Sequence, residues 1–145
     1  MDLTAIRAGI AEELRAVAGL RVYAEWPDKP EVPCACMVID GITPDQTFGP
    51  EYGTLVDLRI DVLTSPMPDG ARSQVRLDAM LSEQIPDALR AASLAAKAAR
   101  DADDGTFGDA HDVHWTSTSG LREMNVGGVA YMGHEVSVSV WARHS

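Results

Sequence analysis

The sequence is poor in cysteine, in aromatic side chains and in positive charge. Its only two cysteines are Cys34 and Cys36. With no second Cys/His pair at finger or ribbon spacing, they exclude both a disulfide-stapled scaffold and a zinc module. Two apart on a strand they share one face, a poor geometry for a disulfide, and they read as buried reduced thiols. Twelve basic residues stand against 22 acidic ones, giving a net charge of −10. Such a surface repels phosphates, which disfavours a DNA-binding module. No stretch approaches the roughly 18 apolar residues of a membrane span. The start MDLTAIRAG has no basic segment leading into an apolar one, so the expectation is a chain neither membrane-spanning nor secreted.

What is present is enough apolar matter for one core. A length of 145 residues with 46% hydrophobic and 23% charged side chains fits a single folded domain over 1–145. Leu3, Ile6, Ile10, Leu14 and Val17 fall at steps of three and four, one stripe of an amphipathic helix that Asp2 or Thr4 can cap and Gly19 can end. Leu20 to Trp26 suits a short strand stopped by Pro27, with further breaks at Pro30 and Pro33. Cys34 to Ile42 is nearly continuously apolar, as in a strand covered on both faces. Thr43 to Gly53 holds Pro44, Gly49, Pro50 and Gly53 and reads as a loop carrying Phe48 on a projecting turn. Val56, Leu58, Ile60 and Val62 alternate with Asp57, Arg59 and Asp61, a strand with one buried and one wet face.

Helical spacing returns over Val75 to about Gln84. Pro86 can open a third helix, running to about Arg100, with a small-residue stripe of Leu89, Ala92, Ala96 and Ala99. The last third reads as three strands: one through Val113 and Trp115, one over Leu121 to Val126, and one from Val129. Gly127-Gly128 forms a two-residue hairpin turn before the last, in which Val136, Val138 and Val140 alternate with polar residues. The expected order is α-β-β-β-α-α-β-β-β. This is an α+β fold, with a largely antiparallel sheet and helices packed on one face. Val56 to Val62 and Val136 to Val140 should share the buried face, with the first helix across it.

Chemistry-bearing constellations are thin. His111 and His114 lie three apart, a separation that on a strand sends them to opposite faces. The acidic turn Asp101 to Gly105 puts Thr106 where a calcium loop needs glycine. Gly127, Gly128 and Gly133 have strand pattern on both sides, so they are not a phosphate-binding loop. No nucleophile elbow is present, and neither cysteine has an evident base. No catalytic, metal or cofactor-binding residue is assigned, and a non-enzyme is the favoured class. A small metal-dependent enzyme would require His111 or His114 to converge with carboxylates. Trp115 and Trp141 read as core or edge packing, and Phe48 as a possible contact anchor.

The ordered features resemble a particular family. Ile6 to Gly9 in the first helix, Gly19-Leu20-Arg21-Val22 leading to Trp26-Pro27-Asp28, and Asp45 to Gly49 before the alternating strand follow the pattern of the tail-terminator proteins of long-tailed bacteriophages, those of actinobacterial hosts above all. Arg76 to Ala79 and Val126 to Gly133 continue it, so that it covers nearly the whole chain. Pro86 to Gly108, Ala-rich and acidic, carries no motif of that family. The resemblance implies a structural protein without catalysis or cofactor, assembled in the host cytoplasm. It implies a homo-oligomeric ring, hexameric in the family, that caps the finished tail tube at the head-tail junction of the virion and stops its growth. Its expected partners are further copies of itself, the tail-tube protein and the head-completion or connector protein, with DNA passing through without specific binding. The candidate contact residues are Asp45, Gln46, Thr47, Phe48 and Tyr52 in the first loop and Asn125, Val126, Gly127, Gly128 and Tyr131 around the hairpin. A head-completion or connector protein of the phage neck is the alternative of similar size and acidity.

Overall fold

The computed structural model describes residues 2–48, 51–64, 75 and 77–143, with the main chain alone at 45–48, 51, 52 and 143. Helix α1, Leu3–Leu14, begins where extended Asp2 accepts the Ala5 N–H at 3.1 Å. Ile6, Ile10 and Leu14 on its inner stripe are fully buried. The helix stops before its apolar stripe does, since Val17 is buried in the turn that follows and Gly19 takes a φ of 77°.

The sheet contains β1 (Arg21–Tyr23), β2 (Cys34–Phe48), β3 (Glu51–Thr64), β4 (Ala110–Thr118), β5 (Arg122–Val126) and β6 (Val129–Arg143). Their order is β1-β2-β3-β6-β4, and β5 pairs with the first part of β6. Among the described residues only β1 and β2 pair in parallel. The α+β class, the mostly antiparallel sheet and the buried face expected from alternation are all present. Val56 stands opposite Val140, Leu58 opposite Val138 and Ile60 opposite Val136, and these six belong to one core with Ile6, Ile10 and Leu14. Leu3 packs against the rim of that core.

Three expectations about elements need correction. The strand expected over Leu20 to Trp26 is only Arg21–Tyr23, paired with Cys34 to Cys36 of β2. Of the segment Thr43 to Gly53, expected as a loop, the described main chain is strand, and Gly49 and Pro50 lie outside the described residues. β2 continues to Phe48 and β3 starts at Glu51, with Gln46 opposite Gly53, Thr47 opposite Tyr52 and Phe48 opposite Glu51. Pro44 lies within the register shift between Thr43 and Gln46, where a missing N–H costs no regular ladder bond. The helices expected either side of Gln84 are one continuous helical run. A π-helical segment, Met80–Gln84, leads directly into α2, Ile85–Asp101, and the Ile85 N–H donates to Met80 O, five residues back. Pro86 lacks an N–H and would crowd the carbonyl four residues before it. The wider π turn relieves that crowding, so the helix passes the proline instead of breaking. Arg76 is outside the described residues.

Two close approaches fix the layers. Phe107, in a short 3-10 turn Gly105–Phe107, is buried against α1, and a Cβ on Gly9 would stand 2.7 Å from its ring. On the other face of the sheet, Cys34, Cys36, Leu63 and Val126 form a second, smaller core, with Tyr23, Val32, Met124 and Tyr131 at its margin. The sheet curls to make it. Gly127 and Gly128 have φ of 59° and 81°, as the expected hairpin turn requires, and a Cβ on Gly127 would lie 3.2 Å from Asp28 O. The hairpin tip therefore rests on the β1–β2 connection. Among the described residues no helix is long and apolar enough to cross a membrane.

Candidate functional site

The sheet ends in two unlike edges. On one side β1 covers only Cys34 to Cys36, so beyond Cys36 the outer edge of β2 has no neighbouring strand among the described residues. This edge runs out along a two-stranded arm made by the distal parts of β2 and β3. Register shifts after Ile39 and after Thr43, together with Pro44 and exposed Asp40, blunt it against continuous strand pairing. Among its described side chains, Ile42, 46% exposed, is the large apolar one offered to solvent. Of the candidate contact residues, Asp45, Gln46, Thr47, Phe48 and Tyr52 form the backbone of the arm. Their side chains lie outside the described residues.

On the other side β4 is bound to β6 and buttressed by α2. Ser93 Oγ accepts the Val113 N–H at 3.1 Å and donates to Asp112 at 2.9 Å, so a helix side chain occupies the place of a further strand. Beside it Trp115, read from the sequence as core or edge packing, lies on the terminal strand and is 39% exposed. Its indole N–H donates to Thr118 at 3.0 Å, which holds the ring at the surface. A pocket of about 180 Å³ opens there, between Pro86, Leu89 and Arg90 of α2 and Val113, His114 and Trp115 of β4. Leu94, one turn along α2 from Arg90, is 72% exposed. An exposed Trp beside Arg, over a pocket with mixed polar and apolar walls, is the composition of an interface centre. Trp115 had been visible in the sequence. Its exposure was not, because it depends on β4 being the terminal strand.

The hairpin candidates divide. Asn125, Gly127 and Gly128 are exposed at the tip. Val126 is 4% exposed inside the second core and Tyr131 packs against that core, so Val126 is corrected from contact residue to core residue. Its side chain faces the cysteines because the sheet curls. Trp26 and Val129, 41% and 49% exposed, complete an apolar rim around this end.

The polar face next to the second core carries a charge cluster. Asp61, expected on a wet face, is 2% exposed. Arg59 donates to its two oxygens at 2.9 and 3.3 Å and reaches Asp40 at 3.4 Å, while Arg122 lies 3.5 Å from Glu135. Burial pushes the Asp61 carboxyl above its ordinary value against the pull of Arg59, and Glu135, directly opposite in register, pushes the same way. Burial also works against the Arg59 charge, but the bond to Asp61 and the surrounding carboxylates hold that guanidinium above its ordinary value.

The remaining polar candidates have structural roles. His111 is the extra residue in the register shift between Ala110 and Asp112, and His114 is exposed at the β4 pocket. Asp104 caps the 3-10 turn, and the Thr106 hydroxyl and N–H both donate to its carboxylate and hold it below its ordinary value. His134, which no sequence pattern singled out, is 7% exposed, donates from Nδ1 to Ser119 O at 2.8 Å and leaves a buried Nε2 without a hydrogen bond. The cysteines are free, with Sγ atoms 4.0 Å apart. The bond from Cys36 pulls the Cys34 thiol down, and the same bond together with burial pushes the Cys36 thiol up. Among the described residues no three His, Cys, Asp or Glu side chains converge on a point that could hold a metal ion.

No protein-family model matches the chain, and no curated protein matches it either.

Proposed function

We propose that the chain is a structural subunit of a phage tail, a tail terminator that closes into a ring on the finished tail tube and offers the surface to which the head joins. The observation that carries this reading is the pair of unlike sheet edges. A closed ring is built from head-to-tail contacts, so each copy must present two different, complementary surfaces. The arm of β2 and β3 and the Trp115 pocket of β4 and α2 are two such surfaces at opposite ends of one sheet. The bulges and Pro44 on the arm favour docking through side chains over an open-ended ladder of strands, which would run on as a filament. The net charge of −10 suits a passage through which DNA slides without adhering.

The ordered sequence motifs support the same reading, because they sit where the fold has special demands. Gly9 of Ile6 to Gly9 gives Phe107 its place, Asp45 to Phe48 form the arm, and Gly127-Gly128 turn the hairpin onto Asp28. The test is to polymerise the tail-tube protein of the same phage with and without this chain. Tubes of limited length, each bearing a ring at one end, are expected. Tubes that grow without limit and carry no bound chain would overturn the proposal.

A further inference from the structure

The pocket between α2 and β4 is small for a free ligand and open to a neighbouring chain. Its volume of about 180 Å³ falls below the about 300 to 1,000 Å³ of small-molecule sites and suits a single side chain. The carbon surface of Pro86, Leu89, Val113 and Trp115 calls for an apolar one, with carboxylates near enough to meet Arg90 and His114. Arg90 holds Asp87 at 2.7 Å, but both side chains are at least 70% exposed, so that pair contributes little and can exchange. The carboxylate of Asp112 on the same edge accepts from the Ser93 hydroxyl.

The chain carries a matching group at the far edge of its sheet. Of the large apolar side chains exposed among the described residues, Leu94 and Trp115 belong to the pocket's own side and Leu121 lies in the link from β4 to β5. Trp26 and Val129 rim the hairpin end, and Val75 is helical. Ile42 is the one on the opposite edge strand. Its register partner Val56 points into the main core, so Ile42 faces the helix side of the sheet, where the pocket opens between α2 and β4. A second copy can bring Ile42 to that pocket edge to edge, without turning its sheet over. The reverse face matches too. Asp57, opposite Gly41, and His114, which alternates with core-facing Val113, both point away from the helices and are exposed. Asp40, also exposed, stands beside Gly41.

We propose that Ile42 of one copy fills the pocket between α2 and β4 of the next, under Trp115, with Asp40 and Asp57 of the first copy against Arg90 and His114 of the second. This contact rests on the ring reading and adds to it the side chains that give the ring its direction. Each copy then buries one arm and one pocket, and none is left over when the ring closes.

The experiment is light scattering on the full chain, on Ile42→Asp, on Trp115→Ala and on an equimolar mixture of these two variants. Ile42→Asp spoils only the arm and Trp115→Ala only the pocket. Each alone should need a concentration about tenfold or more above that of the wild type to assemble. In the mixture the intact arm of Trp115→Ala meets the intact pocket of Ile42→Asp, so the mass should rise toward two chains and stop there. Ile42→Val, which keeps an apolar side chain, should assemble as the wild type does. Circular dichroism shows whether each variant is folded, and Ile42→Ser takes the place of Ile42→Asp should the latter unfold. A wild-type chain that stays monomeric throughout would overturn the ring reading itself. A wild type that assembles beside an arm variant that assembles equally well, or a mixture no heavier than its components, would overturn this contact and leave the ring standing.

Discussion

Replacing Gly9 by Ala sets two effects of opposite sign against each other within α1. In an ordinary helix interior the change stabilises by about 1 kcal/mol, because alanine loses less backbone freedom on folding. Here the added Cβ would stand 2.7 and 2.8 Å from two ring carbons of Phe107, a side chain that is 4% exposed and has little room to retreat. Overpacking of that kind costs about 1 to 3 kcal/mol, so the single variant should lose about 1 kcal/mol overall. For a domain of this size that is a melting temperature lowered by about 2 to 4 °C. The decisive measurement is the same substitution made in a Phe107→Ala background. Phe107→Ala alone should cost about 3 to 5 kcal/mol, and with the ring gone Gly9→Ala should become stabilising by about 1 kcal/mol. Urea unfolding of the four proteins reads the cycle directly. If Gly9→Ala destabilises equally in both backgrounds, Phe107 is not what requires glycine at that position.

Three further outcomes follow from the packing and the charge cluster. Leu58→Asp or Val138→Asp, each placing a carboxylate at a site 1% exposed, should unfold or precipitate the protein, and a melting temperature equal to wild type would remove these strands from the core. Asp61→Asn should gain on the wild type as pH rises from acid toward neutrality, measured by urea midpoints across that range. The folded carboxyl lies above its ordinary 3.8, so its contribution is complete below that value and lost as pH rises through the folded one; a gap between the two proteins that is constant with pH would refute the burial account. Trp115→Ala should lower the melting temperature only in part, since the residue is 39% exposed and the rest is covered, and should weaken self-association by about 2 kcal/mol or more if it sits at the centre of a contact.

Much of the fold was legible because period-two alternation survives translation into a sheet. Val56 to Val62 and Val136 to Val140 had to share a face with the stripe of α1, and they do. What was illegible depended on distant contacts. Asp61 follows a local pattern that promises solvent yet is 2% exposed, and Val126, placed among the contact residues, packs in the second core. Pro44 was read as part of a loop and Pro86 as the opening of a separate third helix. One sits within a register shift and the other follows a π segment, two devices that let a chain pass a proline without stopping. As for the candidate site, Phe48 was chosen for an exposed turn and its main chain proves to be strand, whereas Trp115, read as core or edge packing, stands on the edge strand and is 39% exposed. Exposure at a sheet edge is a property of strand order, and strand order is not written in any local run of residues.

The claim that two unlike edges make a ring is tested most directly by the solution mass of the purified chain, measured by light scattering over a range of concentrations beside Trp115→Ala. The account predicts a closed species of about six times the 15.6 kDa chain, unchanged on further concentration, and a shift toward the monomer in the variant while it remains folded. A wild-type protein that remains monomeric throughout, or a Trp115→Ala protein that assembles as the wild type does, would contradict it.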